Sequence, residues 1–381
     1  MKILMVSMNS IHFQRWTDQL KDSGHEVFWF NIRDGGYSEK LHWVKQITGW
    51  KLKFPKLKGR VFVKKRLPWL YNKLSFLYEN NTAKTFEKVL LEVKPDVVHS
   101  FVLYVSCAPI LKVMNVYADI KWIYSSWGSD LFYFQQNPEY LKDIKRVLPR
   151  VNYLFTDCNR DVELAKKYGF NGKVLGVFPG GGGYSIDTFE AYIQPLENRN
   201  AILVKGYQGR SGRAIPVLKA LEALSEIIND FQIIVLGADD EVCTFVKQSS
   251  LIKSNLKIYK KSDMLPHIEV IKLMGQALIY IGNSNSDGMP NTLLEAIIMG
   301  AFPIQSNPGG ATEDIIKHKK NGLLIQDCEN VDSIFKLIEL AISNQSLQSK
   351  VFKTNQEDVK FTLDRNIIKK EVISKYNSIK I

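Results

Sequence analysis

The chain has no run of 18 or more apolar residues, so no segment has the length and character of a membrane-spanning helix. Cysteine is sparse and scattered. Cys107, Cys158, Cys243 and Cys328 show no Cys-x-x-Cys spacing and no adjacent histidine, which argues against a disulfide framework or a zinc cluster and for buried free thiols in a reducing compartment. The opening Met-Lys-Ile-Leu-Met-Val-Ser-Met turns polar too soon for a secretory leader and reads as a first buried strand. These absences predict a cytoplasmic protein. Internal repeats and low-complexity tracts are also missing, so solenoid and linker-like architectures are not expected.

One further absence is local. Residues 40–78 contain no Asp or Glu but eleven Lys or Arg, which is nearly the whole formal net charge of +12. Trp43, Trp50, Phe54, Trp69, Tyr71, Phe76 and Tyr78 are interleaved with these cations. Cations near lipid headgroups and aromatic rings at the interface suit an anionic membrane surface. A solvated basic face is the plain alternative. Nucleic acid, the other common partner of basic patches, is not expected, because no nucleic-acid motif accompanies the segment.

What is present fits two globular domains. The 381 residues suffice for two cores, and apolar and charged contents of 45% and 24% are ordinary. Short apolar runs alternate with helical patterns, which predicts parallel sheets covered by helices. In the first half the strands are 3–6, 26–30, 97–99, 122–124, 153–156 and 174–177, with helices over 13–23 and 79–93. Four glycines at 180–183 and a polar stretch at 190–200 mark the approach to a second unit. That unit opens with a strand at 201–204, a helix over 214–228 and a strand at 232–236. The expected division is 1–190, 198–355 and a helical tail over 356–381.

Residues 284–313 carry the densest signal. The run Ala277–Ile281 is a buried strand, Gly282–Gly288 is turn-rich, Pro290 suits the first position of a helix, and Gly300 suits its stop. A strand from Ala301 and the loop Pro308-Gly309-Gly310 follow. Asp287 thus sits in a loop and Glu295 one turn into the next helix. Between them Gly288, Met289, Pro290, Asn291 and Thr292 form a helix start whose N–H groups attract phosphate. This order suits a sugar nucleotide: Asp287 at the sugar, the helix start at the diphosphate, Glu295 at the ribose, and Gly309 and Gly310 where backbone approaches a ligand closely.

The segment resembles the donor motif of retaining glycosyltransferases of family 4, the group 1 transferases of GT-B fold. Their pattern is an acid, seven residues and Glu, then a strand and Gly-Gly-x-x-Glu. It maps here onto Asp287, Glu295, Gly309, Gly310 and Glu313, with Asp in place of the usual first Glu. The resemblance implies two Rossmann-like α/β domains facing each other across a cleft, with the nucleotide on the C-terminal sheet and the acceptor on the N-terminal one. It also implies that the helical tail over 356–381 crosses back to the first domain, and that an Arg and Lys pair sits on the diphosphate. Lys205 and Arg213 occupy those places in reversed order and eight apart, with Arg210 between them to share or replace one role. Trp127-Gly128-Ser129-Asp130 resembles the family's His-Gly-x-Asp stretch, with Trp127 replacing a histidine that touches the donor sugar. Asp130 is a candidate base or acceptor ligand, and equally a helix cap. His99 ends a strand and reads either as a sugar ligand or as a satisfied buried histidine. Asn9 and His12, after the first strand, are candidate acceptor contacts, although the usual Gly-Gly is missing there. No Asp-x-Asp occurs, so no metal and no cofactor are expected.

The expected activity is retaining transfer of a sugar from a nucleotide-diphosphate sugar to a hydroxyl of a lipid-linked or polysaccharide acceptor, at the inner face of a membrane. A nucleotide-sugar epimerase of the same fold and a non-catalytic membrane-surface scaffold remain open alternatives on sequence.

Overall fold

A computed structural model describes residues 1–56, 60–251 and 255–380. The chain divides into two compact units: 1–156 with 162–181 and 371–381, and 157–161 with 182–370. The polar stretch expected to link domains at 190–200 therefore lies inside the second unit. The change of unit falls within the glycine run, between Gly181 and Gly182.

The first unit is a seven-stranded parallel sheet. Its strands are β1 (Lys2–Ser7), β2 (Glu26–Asn31), β3 (Lys45–Ile47), β4 (Val97–Phe101), β5 (Lys121–Ser125), β6 (Tyr153–Thr156) and β7 (Lys173–Val177), in the order β3-β2-β1-β4-β5-β6-β7. Every residue of β1 after Lys2, and every residue of β4, is buried, as expected of strands covered on both faces. The covering helices are amphipathic. In Thr82–Val93, Phe86, Val89 and Leu90 face the core and the Asn81 side chain caps the Lys84 amide. Lys94 at φ 49° then turns the chain out of the helix. The first helix, Ile11–Asp18, is shorter than its apolar pattern suggested, because residues 19–23 close as turns.

The last stretch of the final helix, Arg365–Asn377, belongs to this first unit from residue 371 onward. Tyr376 is the anchor: it is fully buried, accepts from Trp16 Nε1 at 3.1 Å and pairs with His99 Nδ1 at 2.6 Å.

The second unit is a six-stranded parallel sheet built from β8 (Ala201–Lys205), β11 (Gln232–Ala238), β12 (Leu256–Lys260), β13 (Ala277–Gly282), β14 (Phe302–Ser306) and β15 (Leu323–Ile325). A short antiparallel hairpin, β9 (Gln208–Gly209) with β10 (Gly212–Arg213), stands apart from it. The strand order is β12-β11-β8-β13-β14-β15. The order reverses between β8 and β13, and open parallel sheets bind ligands beyond the carboxyl ends of the strands at such a reversal. The helix expected over 214–228 runs only from Ala214 to Ala223, and turns follow it.

Two helices in the basic segment, Arg60–Arg66 and Pro68–Tyr78, were not read from sequence. They sort its aromatic residues. Trp50 and Tyr71 are interior, with Trp50 Nε1 donating to the Asn31 carbonyl at 2.9 Å and Tyr71 Oη to Glu79 at 2.7 Å. Phe54, Phe62, Trp69 and Phe76 are instead about two-thirds exposed, with Leu67 and Leu77 nearby.

Candidate active site

The sheet reversal in the second unit gathers most of the motif. Lys205 is the last residue of β8 and Asp287 lies in the loop after its neighbour β13. Lys205 Nζ stands 3.1 Å from Asp287 Oδ2, with 8% of the lysine side chain and 27% of the aspartate exposed. The Lys205 ammonium also lies 5.3 Å from the centre of the Tyr207 ring. Asp287 Oδ1 accepts from the Gly288 amide at 3.2 Å, which shapes the turn into the helix.

That helix is Asn291–Ile298. Pro290 sits one residue earlier than expected: at φ −67° and ψ 126° it is the cap rather than the first helical residue, and its carbonyl accepts from Leu293 and Leu294. The side chains of the helix start are tied inward. Asn291 Oδ1 accepts from Tyr184 Oη at 3.0 Å, and Thr292 Oγ1 pairs with the buried Tyr280 hydroxyl at 2.8 Å. These bonds leave backbone, not side chains, to meet a ligand. Burial and the nearby carboxylates push the Tyr280 phenol up, so it stays a neutral hydrogen-bonding post. Glu295 is 5% exposed and accepts from, or pairs with, His267 Nε2 at 2.8 Å.

Gly309 (φ 63°) and Gly310 (φ 84°) both hold the left-handed conformation that requires glycine. A Cβ on Gly310 would meet no atom within 4 Å, so this backbone faces open space. Glu313 is exposed, and its Oε1 accepts from Asn307 Nδ2 at 2.6 Å.

Two expected cations are placed differently. The Arg213 guanidinium pairs with Glu329 and donates to the Gly209 carbonyl at 2.9 Å, while its backbone amide donates to Asn283 O at 2.7 Å. It secures the β9–β10 hairpin beside the acid loop. Arg210 is exposed at the tip of that hairpin, its Nε 3.4 Å from Ser211 Oγ.

In the first unit the sheet order reverses between β1 and β4; Asn9 and Trp127 lie in the loops after β1 and β5, and His12 is the second residue of the helix Ile11–Asp18. The His12 ring lies 5.6 Å from Trp127, and Trp127 lies 5.2 Å from Phe101. Asn9 is exposed and its Oδ1 accepts from Gln14 Nε2 at 2.7 Å. Val102, a β-branched residue held at φ 66°, follows β4, and strained backbone of this kind gathers at functional sites.

Two candidates do not reach a substrate surface. Asp130 is 3% exposed and its carboxylate is filled by donors: Leu103 N at 2.9 Å, Ser126 Oγ and Trp127 N at 3.1 Å, and the Tyr124 hydroxyl. Burial pushes its pKa up despite those bonds. It organises the loop that presents Trp127 and is not placed to act as a base. His99 is fully buried, with both ring nitrogens occupied by Tyr376 Oη and Ser125 Oγ at 2.6 and 2.8 Å. Burial holds it well below the usual histidine range, so it is a neutral core residue.

Sequence reasoning missed the segment Asp157–Asp161, which the fold builds into the second unit. Its signal was available: a polar run, Thr156-Asp157-Cys158-Asn159-Arg160-Asp161, directly after a strand. Asp157, Cys158 and Asp161 also offer ligand atoms within 4.8 Å of one another. A divalent cation does not fit there, because the Arg160 guanidinium already pairs with Asp161 at 2.9 Å.

Comparison with known proteins agrees with this geometry. Residues 181–358 match the family profile described as glycosyl transferases group 1, and residues 2–158 match glycosyl transferase 4-like. A curated relative from Campylobacter jejuni subsp. jejuni serotype O:2, GalNAc-alpha-(1->4)-GalNAc-alpha-(1->3)-diNAcBac-PP-undecaprenol alpha-1,4-N-acetyl-D-galactosaminyltransferase, is 23% identical over 297 residues, 77% of this chain and 78% of the relative. Among solved structures, sucrose-phosphate synthase from Thermosynechococcus elongatus aligns with a TM-score of 0.71 at 14% identity, covering 99% of this chain and 98% of its own. Anabaena HepE, solved with UDP and glucose, aligns with a TM-score of 0.70 at 13% identity over 100% of both chains. With its two halves matched and both sheets doubly wound, the chain belongs to the group 1 glycosyltransferases, enzymes of the GT-B fold.

Proposed function

We propose that this glycosyltransferase transfers a hexose-type sugar with retention of configuration, from a nucleoside diphosphate sugar to a hydroxyl of a lipid-linked or polysaccharide acceptor, and does so without a metal ion. One observation carries the reading: Lys205, at the end of β8, and Asp287, in the loop after the adjoining β13, meet at the sheet reversal beside a helix start and a Gly-Gly loop. In the free chain Lys205 neutralises Asp287. When a donor enters, Asp287 accepts from sugar hydroxyls, and Lys205 turns part of its charge to the departing diphosphate, as does the helix tip. Glu295, nearly buried, accepts from the ribose hydroxyls in place of His267. The bond from the anomeric carbon to the diphosphate breaks as the acceptor oxygen bonds to the same face. A diphosphate oxygen takes the acceptor proton, so no separate protein base is required. The name of the Campylobacter jejuni relative, an undecaprenyl-diphosphate-linked glycan transferase, supports the lipid-linked class. The UDP and glucose in HepE support the donor class.

The test incubates the full chain with UDP-, GDP- and ADP-sugars and a lipid-linked oligosaccharide, with and without EDTA. Retention is read from the anomeric proton coupling of the product. Transfer with retention, insensitive to EDTA and lost in Asp287→Asn, is expected. Inversion, EDTA inhibition or full activity of the variant would overturn the corresponding part. An epimerised donor formed without acceptor would identify an isomerase instead.

A further inference from the structure

This inference rests on the donor-site reading above and concerns residues to which that reading gives no role. Asp157–Asp161 reaches the two donor loops at several points. Arg160 Nη1 donates to the Asp287 carbonyl at 2.9 Å and to the Pro308 carbonyl at 2.7 Å. Asn159 donates from its amide and from Nδ2 to the Asp314 carboxylate at 2.6 and 2.9 Å. Asp157 Oδ2 accepts from the Met289 amide at 3.3 Å.

The packing leaves little freedom. A Cβ on Gly288 would lie 2.3 Å from Asp157 Oδ2, so the acid loop rests directly on that carboxyl group. Asp157 Oδ1 is buried without a hydrogen-bond partner, held against the glycine by packing alone.

Two neutral carbonyls do not by themselves call for a buried cation, since burying a charge is costly. Here the cost is offset by Asp161, fully buried, whose Oδ1 accepts from Arg160 Nε and Nη2 at 3.0 and 2.9 Å. The planar guanidinium is thus locked on one side by Asp161 and on the other spans two loops. A lysine has a single nitrogen and no such fork.

We propose that Arg160 is a positioning residue for sugar transfer: it ties the backbone of Asp287 to that of Pro308, so the sugar-binding acid and the glycine loop keep one separation while the donor reacts. Arg160 touches no donor atom in this scheme and acts through Asp287.

The test compares the full chain with Arg160→Met/Asp161→Asn, which removes both buried charges together, and with Arg160→Lys, which keeps a cation opposite Asp161 should the double variant not fold. Hydrogen–deuterium exchange is followed in peptides covering 283–291 and 307–315. Binding is titrated with UDP, GDP and ADP, and turnover is read as release of UDP or GDP from UDP-glucose or GDP-mannose. Both loops are expected to exchange at least about tenfold faster, because their shared tether is gone. Nucleoside diphosphate affinity should change less than about threefold, while turnover falls roughly 10²-fold, the scale set by an ångström of misplacement. Arg160→Lys should regain only part of that loss. Unchanged exchange in either loop, or turnover within twofold of the parent, overturns the proposal. Failure of the parent to bind any of the three nucleotides would instead count against the donor site, and the exchange data would still decide whether Arg160 holds the loops.

Discussion

A lysine with 8% of its side chain exposed needs a counter-charge, and Lys205 finds it in Asp287. Lys205→Met should lower turnover by about 10²–10³-fold, the loss seen when one preorganised group at a developing charge is removed. Its melting temperature should change little, because Asp287 keeps partial access to water. A variant with turnover near that of the parent would remove Lys205 from the chemistry. Arg199 has the opposite role. It is 5% exposed, and its three donor nitrogens serve the carbonyls of Gln194, Ala277 and Met299 at 2.9, 3.0 and 2.9 Å. Burial lowers its pKa to about 10, still high enough to keep it charged at neutral pH. Arg199→Met orphans three carbonyls at about 1 kcal/mol each. Calorimetry should show a melting temperature lower by roughly 6–12 °C, at 2–4 °C per kcal/mol, with the activity of the folded fraction intact. His99 supplies a pH signature. Its folded pKa is depressed while the unfolded chain titrates near 6.5, so only the unfolded state gains a proton as pH falls below that value. Stability is therefore lost on the acid side, and urea midpoints at pH 7.5 and 5 should converge in His99→Gln.

Loops and helices carry the next level of constraint. The acid loop after β13 rests on Asp157, and Gly288 is the residue that permits it. Gly288→Ala would push a methyl against a buried carboxyl group, so turnover should fall at least about tenfold while the sheet core stays intact; an active Gly288→Ala enzyme would show the loop to be pliant. The helices Arg60–Arg66 and Pro68–Tyr78 set out exposed Phe62, Trp69 and Phe76 with Lys64, Lys65, Arg66 and Lys73. That combination suits the anionic membrane surface expected from the sequence. Replacing Lys64, Lys65 and Arg66 by glutamine should weaken sedimentation with anionic vesicles by about 10²-fold, at roughly 1 kcal/mol per cation. Equal sedimentation of parent and variant would remove the membrane partner. The apolar periodicity of residues 214–228 was legible, yet the helix stops at Ala223, because Leu224 and its neighbours bend into turns that bring Ile228 to the core. Periodicity reports which residues are buried and is weaker on where a helix ends.

At the scale of the molecule each unit has its own buried apolar packing, with two clusters described in the second, and Lys205, Asp287, Glu295 and the Gly309-Gly310 loop all belong to that second unit. A nucleoside diphosphate at a hundred times its Kd stabilises the state that binds it by about 2.7 kcal/mol. Added UDP, GDP or ADP should therefore raise hydrogen-exchange protection within residues 157–161 and 182–370. Protection gained chiefly in 1–156 would place the nucleotide on the other sheet. The net charge of +12 is equally uneven, concentrated in 40–78 of the first unit.

The sequence determined the local order of the donor motif: strand, acid, glycine, helix, second acid, strand and paired glycines. Each of these is a short-range requirement on backbone conformation or side-chain chemistry, and each lies within about thirty residues. It determined the parallel α/β class for the same reason, since burial on both faces writes continuous apolar strands. Only the tertiary structure decided that β8 and β13 adjoin at the sheet reversal, which brings Lys205 to Asp287 across 82 positions of chain. It alone drew Asp130 and His99 inside, and built Asp157–Asp161 into the second unit, apart from the residues on either side of it in sequence. Strand order, the burial of polar side chains such as Asp130 and His99, and the seating of a five-residue segment depend on contacts between residues far apart in sequence, and no local pattern of residue types specifies them.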